Sequence, residues 1–254
     1  THIFVRSDQI EVEIKHVIEL IDLIYGIFGF PYTVELSTRP EDSMGSDELW
    51  ATAEKSLQNV LEDLNISYTV NEGDGAFYGP KIDFHIRDAI KRSHQCATIQ
   101  LDFQMPEKFD LTYVGEDNAK HRPVVIHRAI YGSIDRFIGI LTEHFAGAFP
   151  TWLAPVQAKV ITINEAHASY AEQVTEALAA KGIRVELDRR NEKVGYKIRE
   201  AQMKKIPYML VIGDKEMQEG TVAVRRRGKG DLGSRKVEDV IVSILEEIET
   251  KSFA

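Results

Sequence analysis

Apolar positions near the start of the chain recur at alternating spacings of four and three residues. Ile10, Ile14, Val17 and Ile21 follow this spacing, which places them on one side of a helix. The spacing predicts a helix over residues 8–28, and the glycine that follows is a stop signal. A second helix is predicted after a Ser46 cap, with an apolar face of Leu49, Ala53, Leu57, Val60 and Leu64.

A second pattern, in which apolar and polar residues alternate, indicates strands. Ile82, Phe84 and Ile86 are separated by single polar residues, so residues 81–87 should form a strand with one buried face. Further strands are predicted at residues 1–5, 33–37, 68–70, 97–103, 111–114 and from 124 onward. Short strands close together in sequence favour an α+β domain built on an antiparallel sheet with added helices.

Two prolines around a tryptophan, at residues 149–155, interrupt this rhythm. Beyond them the predicted strands are 159–163, 183–187, 208–212 and 222–224, and the predicted helices are 164–181, 195–205 and 237–249. Alternation of strand and helix implies a compact α/β domain with a mostly parallel sheet. We therefore predict two domains, residues 1–150 and 151–254.

Charge is unevenly distributed along the chain. The net charge is −9, yet residues 184–236 carry 15 Lys and Arg against 8 Asp and Glu. A basic terminal module on an acidic body could dock a polyanion, although the same clustering occurs on ordinary solvated surfaces.

The sequence also bears on the compartment. It contains no apolar run long enough for a membrane helix and only one cysteine, Cys96, and we expect no signal peptide. We therefore expect a cytoplasmic protein without membrane contact. The chain begins without methionine inside a predicted strand, which suggests a piece of a longer protein.

The stretch VVIHRAIYGSIDRF joins an apolar strand to a helix. Its His127 could bind zinc together with His2 of another strand, because neutral imidazole is a common zinc ligand. Arg136 falls in the first turn of the helix, where a guanidinium can clamp phosphate. The alternatives are hydrogen-bonded histidines and a salt bridge of Arg136 with Asp135 or Glu143, and spacing alone leaves both open.

A glycine-rich stretch, residues 72–81, ends in Lys81. Glycines let backbone approach a ligand closely, and the ammonium would then lie beside the loop. The stretch lacks the Gly-Lys-Ser/Thr signature of a P-loop, and an ordinary hairpin turn is the alternative. Glu116 and Asp117 could likewise bind magnesium or form a solvated turn, and Cys96 could be a zinc ligand or plain packing.

Several ordered blocks of sequence match one known family. They are LSTRP (36–40), GSDE (45–48), GAFYGPKI (75–82), QC through QLDF (95–103), YVGEDN (113–118), IHRA (126–129), FPTWLAPVQ (149–157) and RNEK (190–193). On these blocks the chain resembles the bacterial threonyl-tRNA synthetases, a family of class II aminoacyl-tRNA synthetases, over essentially its whole length. The implied fold is part of the class II antiparallel sheet followed by an α/β anticodon-binding domain.

The resemblance implies an enzyme that couples L-threonine to ATP with Mg2+, forms threonyl-adenylate, and transfers threonine to tRNA(Thr). It implies that Lys81 neutralises the reacting carboxylate and phosphate, and that Arg136 holds ATP through its phosphates and adenine ring. By the same resemblance Tyr78 contacts the amino acid, and Gln95 and Gln100 line the adenylate pocket.

The family's zinc is held by two histidines and one cysteine. The histidines match His2 and His127, whereas the matching cysteine would lie upstream of this chain, so that Cys96 is not expected to be a ligand. Open zinc positions then take the amino group and β-hydroxyl of threonine. A site built to engage a hydroxyl rejects valine, which lacks one.

The terminal module resembles the anticodon-binding domain of several class II synthetases. By this resemblance Asn191, Glu216 and Arg225 contact anticodon bases, and Lys193 and Arg199 contact phosphates. RNA reading needs such polar edges and phosphate partners around splayed bases.

Two departures from the family pattern are visible. The first class II motif is absent, and so is most of the second, including its phosphate-binding arginine. We expect this chain alone not to form threonyl-adenylate, and the full-length enzyme to be an active homodimer. A non-catalytic RNA-binding or regulatory paralogue is the main alternative, but it would have no need to retain His2, His127, Lys81 and Arg136 together. A protein-interaction subunit would lack tRNA affinity in residues 184–236.

Overall fold

The computed structural model describes residues 1–253 and divides into two compact units, Thr1–Glu143 and the residues from His144 onward. The first unit contains β1 (His2–Val5), α1 (Ile10–Phe28), β2 (Tyr32–Ser37), α2 (Asp47–Asp63), β3 (Tyr68–Asn71), β4 (Lys81–Arg87), β5 (Ser93–Asp102), α3 (Gln104–Lys108), β6 (Tyr113–Val114), β7 (Lys120–His121), β8 (Val124–Ala129) and α4 (Ile134–His144, whose last residue already belongs to the second unit). The second contains β9 (Ala158–Thr162), α5 (Ala168–Ala179), β10 (Val185–Asp188), α6 (Val194–Met203), β11 (Tyr208–Ile212), α7 (Asp214–Glu219), β12 (Thr221–Arg226), β13 (Gly230–Lys236) and α8 (Val237–Glu249). Within the described part of the chain, no helix has the length and apolar character needed to cross a membrane.

The first unit is built on a six-stranded sheet in the order β1-β8-β5-β4-β2-β3. Its neighbouring strands are antiparallel, except that β2 and β3 run parallel. The predicted α+β architecture is therefore confirmed. Since β3 and β4 lie on either side of β2, the glycine-rich connection between them crosses the end of β2 and is not a hairpin turn.

Helix α1 covers the apolar side of this sheet, packing against β5 and β8. Its predicted stripe is buried, and the helix ends at Gly29 with a left-handed φ of 71°. Residues 8 and 9, which were expected to begin the helix, belong instead to a separate 3-10 turn over Ser7–Gln9.

The apolar face of α2 differs from the prediction at Leu49, and the predicted Leu64 is the half-buried cap that follows the helix. Ser46 caps the helix as predicted, its Oγ accepting from the backbone N–H of Leu49 at 3.3 Å. Leu49 itself is 36% exposed, whereas Trp50 is 4% exposed. Trp50 is in phase with buried Ala53 and Leu57, and its indole N–H donates to the Met44 carbonyl at 2.7 Å.

The second unit has a five-stranded sheet in the order β10-β9-β11-β12-β13. The first three strands are parallel, and β12 and β13 add antiparallel pairs at one side. The predicted α/β domain is confirmed. The apolar pattern missed α7, which is short, and β13, which is largely exposed and offers no buried alternation.

Because β9, β10 and β11 are parallel, their carboxyl ends lie at one edge of the sheet. The segments that leave these ends run toward α5, α6 and α7 respectively. We call residues 163–167, 189–193 and 213–216 the carboxyl edge; the last of these ranges includes the first turn of α7.

Candidate functional site

One cross-strand row runs across five strands of the first sheet. The pairing register places Ser37 opposite Lys81, Lys81 opposite Gln100, Gln100 opposite His127, and His127 opposite His2. Directly opposed residues point to the same face of a sheet, so these five side chains share one face over about 19 Å. The row thus joins the two ends of the first unit's sequence.

The same face holds further polar residues, and we call it the polar face. It consists of the row together with Asp83, Gln95, Thr98 and Asp102. Its opposite side carries Ile82, Phe84, Ile86, Ile99 and Leu101, all fully buried.

Gln95 reaches the polar face through a β-bulge. His85 pairs with Gln95 and Phe84 with Ala97, which leaves Cys96 as an extra residue on β5. In an unbroken strand Gln95 would face away from Thr98, because successive side chains alternate. The bulge reverses that alternation, and the Gln95 Nε2 donates to the Thr98 hydroxyl at 2.9 Å.

Lys81 sits between two carboxylates. Its Nζ lies 2.7 Å from Asp83 Oδ2 and 3.1 Å from Asp74 Oδ2, in the glycine-rich loop. Burial lowers the pKa of Lys81, but the hydrogen bonds that its ammonium donates to Asp83 and Asp74 outweigh this effect, so the net shift of the pKa is upward. The lysine is therefore held as a cation at the polar face.

Tyr78 is fixed by the neighbouring glutamine. Its hydroxyl donates to Gln100 Oε1 at 2.8 Å, and Gln100 Nε2 donates to the Gly79 carbonyl at 3.4 Å. Burial, with a further contribution from the Asp102 charge, raises the pKa of Tyr78, which keeps the phenol protonated. Gly79 is required here, since a Cβ would lie 1.7 Å from the Leu101 carbonyl oxygen.

The two predicted zinc ligands are neighbours. The rings of His2 and His127 have centroids 4.7 Å apart, and His127 Nε2 lies 2.9 Å from Asp102 Oδ2. A carboxylate can only accept, so Nε2 donates and Nδ1 keeps its lone pair. Metal-binding histidines have such carboxylate partners. A cavity of about 320 Å³ adjoins both rings; it is lined by Thr1, His2, Thr98, Gln100, His127, Arg128 and Ala129.

No group of three potential ligands that could hold a metal occurs among the described residues. Two histidines with an ordered carboxylate fit the predicted zinc site as two of its three protein ligands. Cys96 is not beside them in the row; it is the buried bulge residue of β5.

Arg136 makes no hydrogen bond or ion pair within residues 1–253, and its side chain is exposed. The alternative salt bridge is not formed, because Glu143 lies 3.9 Å from Arg92 instead. Burial raises the pKa of the Cys96 thiol, and the charge of Arg136 opposes that shift. Arg136 therefore lies within electrostatic reach of the bulge beside Gln95.

Glu116 and Asp117 lie apart from the polar face, beside a cavity of about 810 Å³ that includes Arg6 and His121. The hydrogen bond from His121, at 2.9 Å, lowers the pKa of Asp117, which also accepts from the Ala119 N–H. This is the geometry of a hydrogen-bonded turn, the alternative to a magnesium site.

The carboxyl edge of the second unit brings three predicted RNA contacts together. Asn191 and Lys193 are exposed in the segment after β10, and Glu216 lies after β11. In open α/β sheets this edge is where ligands bind. Glu216 Oε2 accepts from the Gly213 N–H at 3.1 Å, which leaves its other oxygen for an outside donor.

The remaining two predicted contacts lie on or beside α6. Arg199 is exposed on that helix. Arg225 lies on β12 opposite Met209, where it lines a cavity of about 290 Å³ with Gln202. Its guanidinium is 3.7 Å from Asp231.

Sequence reasoning missed the residues that hold these groups in place. Asp83 and Asp102 lie on the polar face, and the alternation in β4 could have placed Asp83 beside Lys81. In the second unit, fully buried Lys197 donates from Nζ to the Thr162 and Asp188 carbonyls at 2.9 and 3.3 Å. Nothing in the amphipathic pattern of α6 singles out a buried lysine.

Two families match the chain in succession. The family described as "tRNA synthetase class II core domain (G, H, P, S and T)" matches residues 1–145, and "Anticodon binding domain" matches residues 157–247.

Curated relatives agree with these matches. The chain is 62% identical over 250 residues to the threonine–tRNA ligase of Carboxydothermus hydrogenoformans and 64% identical to that of Acetivibrio thermocellus. Each alignment covers 98% of this chain but only 39% of the relative, so the chain spans about two fifths of their length.

Solved structures agree in fold. The RNA-binding domain of threonyl-tRNA synthetase from Cryptosporidium parvum superposes with a TM-score of 0.92 at 39% identity, covering 96% of this chain and 62% of that one. Putative threonyl-tRNA synthetase ThrRS-1 from Aeropyrum pernix gives 0.78 at 28% identity, covering 98% and 62%. The resemblance read from the sequence is confirmed, and the chain belongs to the class II aminoacyl-tRNA synthetases of the G, H, P, S and T group.

Proposed function

We propose that this chain is the C-terminal portion of a threonine–tRNA ligase that activates threonine with ATP and Mg2+ and transfers it to tRNA(Thr). The observation that carries the proposal is the row on the polar face, which sets Lys81, Gln100, His127 and His2 side by side. The 62% identity to threonine–tRNA ligases supports the choice of amino acid. The complete enzyme is proposed to act as a homodimer in the cytoplasm.

The activation step needs positioned charges more than covalent catalysis. The threonine carboxylate attacks the α-phosphate of ATP, and pyrophosphate leaves. Lys81 neutralises negative charge that gathers at this centre, and Arg136 holds the nucleotide through its phosphates and adenine ring. Tyr78 and Gln100 form a hydrogen-bonded pair that orients the amino acid, which turns a bimolecular attack into a positioned one.

His2 and His127 would hold zinc together with a cysteine from the segment that precedes them in the ligases. When bound, zinc would supply Lewis-acid contact to the amino group and β-hydroxyl of threonine. Asp102 keeps His127 in the tautomer whose Nδ1 is free to bind metal.

The second unit is proposed to read the anticodon. Asn191 and Glu216 offer hydrogen-bonding groups to bases from the carboxyl edge, and Arg225 adds a guanidinium on β12. Lys193 and Arg199 are placed for phosphates.

The activity is tested with the complete ligase that carries this chain, by threonine-dependent ATP–pyrophosphate exchange. We expect exchange with threonine and much less with valine, and loss of zinc should abolish the preference. Exchange that is equal with both amino acids, or absent in the zinc-loaded enzyme, would contradict the proposal.

The RNA role is tested separately with Arg225→Ala. We expect tRNA(Thr) affinity to fall by about 10-fold, since a charge-assisted contact to a base is lost, while pyrophosphate exchange without tRNA stays unchanged. An equal loss in both assays would show that Arg225 acts through the fold.

A further inference from the structure

The short helix α7, which carries the predicted base contact Glu216, is not anchored in the apolar core. None of its six residues is buried, although the helix packs beside β11 and β12. Short helices have little stability of their own, because the first turn fixes several residues for a single hydrogen bond. The position of Glu216 therefore depends on polar contacts at the ends of α7.

His167 supplies such a contact at the start of α7. Its side chain is 1% exposed, whereas residues 163–166 before it are all exposed. Its Nε2 lies 3.0 Å from Oδ1 of Asp214, the first residue of α7. Its Nδ1 accepts from the backbone N–H of Asn164 at 3.3 Å. The imidazole thus joins two of the three ranges that make up the carboxyl edge.

The two contacts of His167 fix its tautomer. A ring nitrogen that accepts from a backbone N–H keeps its lone pair, so the proton of the neutral ring is on Nε2. Nε2 then donates to the Asp214 carboxylate. Glu216 lies in the same helical turn as Asp214, and its Oε2 accepts from the Gly213 N–H at 3.1 Å. A continuous set of contacts therefore leads from a buried ring to the carboxylate that faces the RNA.

The other end of α7 is held from the same part of the chain. Tyr170 of α5 donates its hydroxyl to the Thr221 carbonyl at 3.0 Å, directly after the Gly220 cap of α7. Because α5 begins immediately after His167, one short segment contacts both ends of α7. This segment and α7 can shift only together.

We propose that His167 is a positioning residue for anticodon reading, which fixes the start of α7 through Asp214 and thereby sets the place of the Glu216 carboxylate. This role rests on the proposed function, because that function assigns Glu216 to an anticodon base. A purely stabilising role of His167 predicts that its replacement lowers kcat/KM alike for every tRNA. A positioning role predicts weaker discrimination at the one anticodon position that Glu216 reads.

The experiment measures threonylation by the complete ligase that carries this chain, using tRNA(Thr) transcripts in which each anticodon base is replaced in turn. Discrimination at a position is kcat/KM for the unchanged transcript divided by kcat/KM for the replaced one. Glu216→Ala identifies the position that Glu216 reads, where discrimination should fall by about 10-fold as a contact to a base edge is lost. His167→Asn should lower discrimination at that position by about 5-fold and leave the other positions within about 2-fold.

Two amides separate the contact with Asp214 from other effects of replacing His167. A Gln side chain carries its amide nitrogen about as far from the backbone as Nε2, so His167→Gln can still donate to Asp214. An Asn side chain reaches only as far as Nδ1, so His167→Asn can accept from Asn164 but loses Asp214. We expect His167→Gln to keep discrimination within about 2-fold of wild type, since the tie to α7 remains.

Asp214→Ala tests the same contact from its exposed partner, and it decides the question if His167→Asn does not fold. It should relax the same anticodon position. The matched control is Asp239→Ala, the same change at an exposed residue in the first turn of α8, and it should leave discrimination unchanged at every position. An equal loss in both variants would show a general effect of acidic residues at helix starts and would overturn the role of His167.

The positioning role is contradicted if Asp214→Ala leaves discrimination intact, or if His167→Gln is no better than His167→Asn. It is also contradicted if His167→Asn lowers discrimination further in the Glu216→Ala background, because two residues that act through one contact are not additive. Failure of the proposed function looks different. The wild-type ligase would then not threonylate tRNA(Thr), or Glu216→Ala would relax no anticodon position.

Discussion

The two units hold their predicted functional residues on different kinds of structure. In the first, the side chains project from the strands, and neighbouring strands supply carboxylates, Asp83 and Asp102, that lock them. In the second, Asn191 and Lys193 lie on the connection that follows β10 and Glu216 lies in the first turn of α7, and buried Lys197 holds the end of β10 beneath that connection. The difference suggests that the first site tolerates little displacement, as chemistry requires, while the second can adapt to a bound RNA.

The largest expected effect separates the units by activity. Replacing Lys81 with Ala should lower kcat for pyrophosphate exchange by about 10²- to 10³-fold, because a positioned cation at the reacting centre is lost. Affinity for tRNA(Thr), measured by filter binding, should stay within about 2-fold since phosphate contacts in the second unit are intact. A parallel fall in tRNA affinity would mean that the two regions do not act independently.

The second prediction concerns the support beneath the carboxyl edge. Lys197→Met should destabilise the second unit by about 2–4 kcal/mol, because the Thr162 and Asp188 carbonyls lose their buried donor. Burial lowers the pKa of Lys197, in keeping with an ammonium removed from water. Hydrogen exchange at β9 and β10 amides measures the change. The control is Lys193→Met, which removes an exposed lysine just before α6 and should leave hydrogen exchange at the β9 and β10 amides unaltered.

A third prediction tests the carboxylate behind His127. Asp102→Asn should lower zinc affinity of the complete ligase by about 10- to 100-fold, as outer carboxylates orient metal-binding histidines. Competition with a chromophoric chelator reports the affinity. Asp117→Asn removes the carboxylate of another Asp–His pair away from the polar face, and zinc binding should survive it. An equal loss of zinc affinity in both variants would contradict a specific role of Asp102 in orienting His127.

The smallest effect is expected where a loop is held by an ion pair. Arg190 hydrogen-bonds Asp188 at 2.6 Å, holding the pKa of that carboxyl below its ordinary value, and also pairs with Glu200. Asp188→Asn should weaken tRNA binding by about 3- to 10-fold at neutral pH, because the segment carrying Asn191 is less ordered.

The same carboxylate gives a pH test. A depressed folded-state pKa contributes stability above the ordinary Asp value, about 3.9, and that contribution is lost as pH falls through the folded-state value. Acid unfolding of Asp188→Asn should therefore show a shallower loss over this range than wild type. Identical acid-unfolding profiles for wild type and Asp188→Asn would mean that ionisation of the Asp188 carboxyl does not contribute to stability.

The sequence predicts a helix or strand well where the pattern of apolar residues that defines it lies within a few residues along the chain. The helix stripe from Ile10 to Ile21 and the alternation in β4 are local, and both were confirmed. Leu49 was misplaced because two adjacent apolar residues compete for one helix face, and the Trp50 indole found a hydrogen-bond partner there. Strand β13 is largely exposed, so its sequence does not show the alternation of apolar and polar residues that marks a half-buried strand.

The sites show the same limit more strongly. Residue types at Lys81, His127 and Arg136 suggested chemistry, but the row that joins Lys81 to His2 depends on the pairing of five strands. Such pairing joins positions from 19 residues apart, Lys81 and Gln100, to 125 residues apart, His2 and His127, which no local pattern contains. Likewise, Asp83 was visible as a polar strand residue, but its four donors come from β2, β4 and β5, which only folding brings together.

The extra residue in β5 has a consequence for insertions and deletions. Successive side chains of a strand alternate between its two faces, and the extra residue Cys96 interrupts this alternation in β5. Odd-numbered residues before Cys96 therefore face the same side as even-numbered residues after it. Deleting Cys96 would leave Gln95 two positions before Thr98 in a regular strand, so Gln95 would stay on the polar face. Pairing Cys96 into the ladder as an ordinary strand residue would instead turn Gln95 toward the apolar side, so it is the bulge that keeps a strand of this length compatible with the polar face.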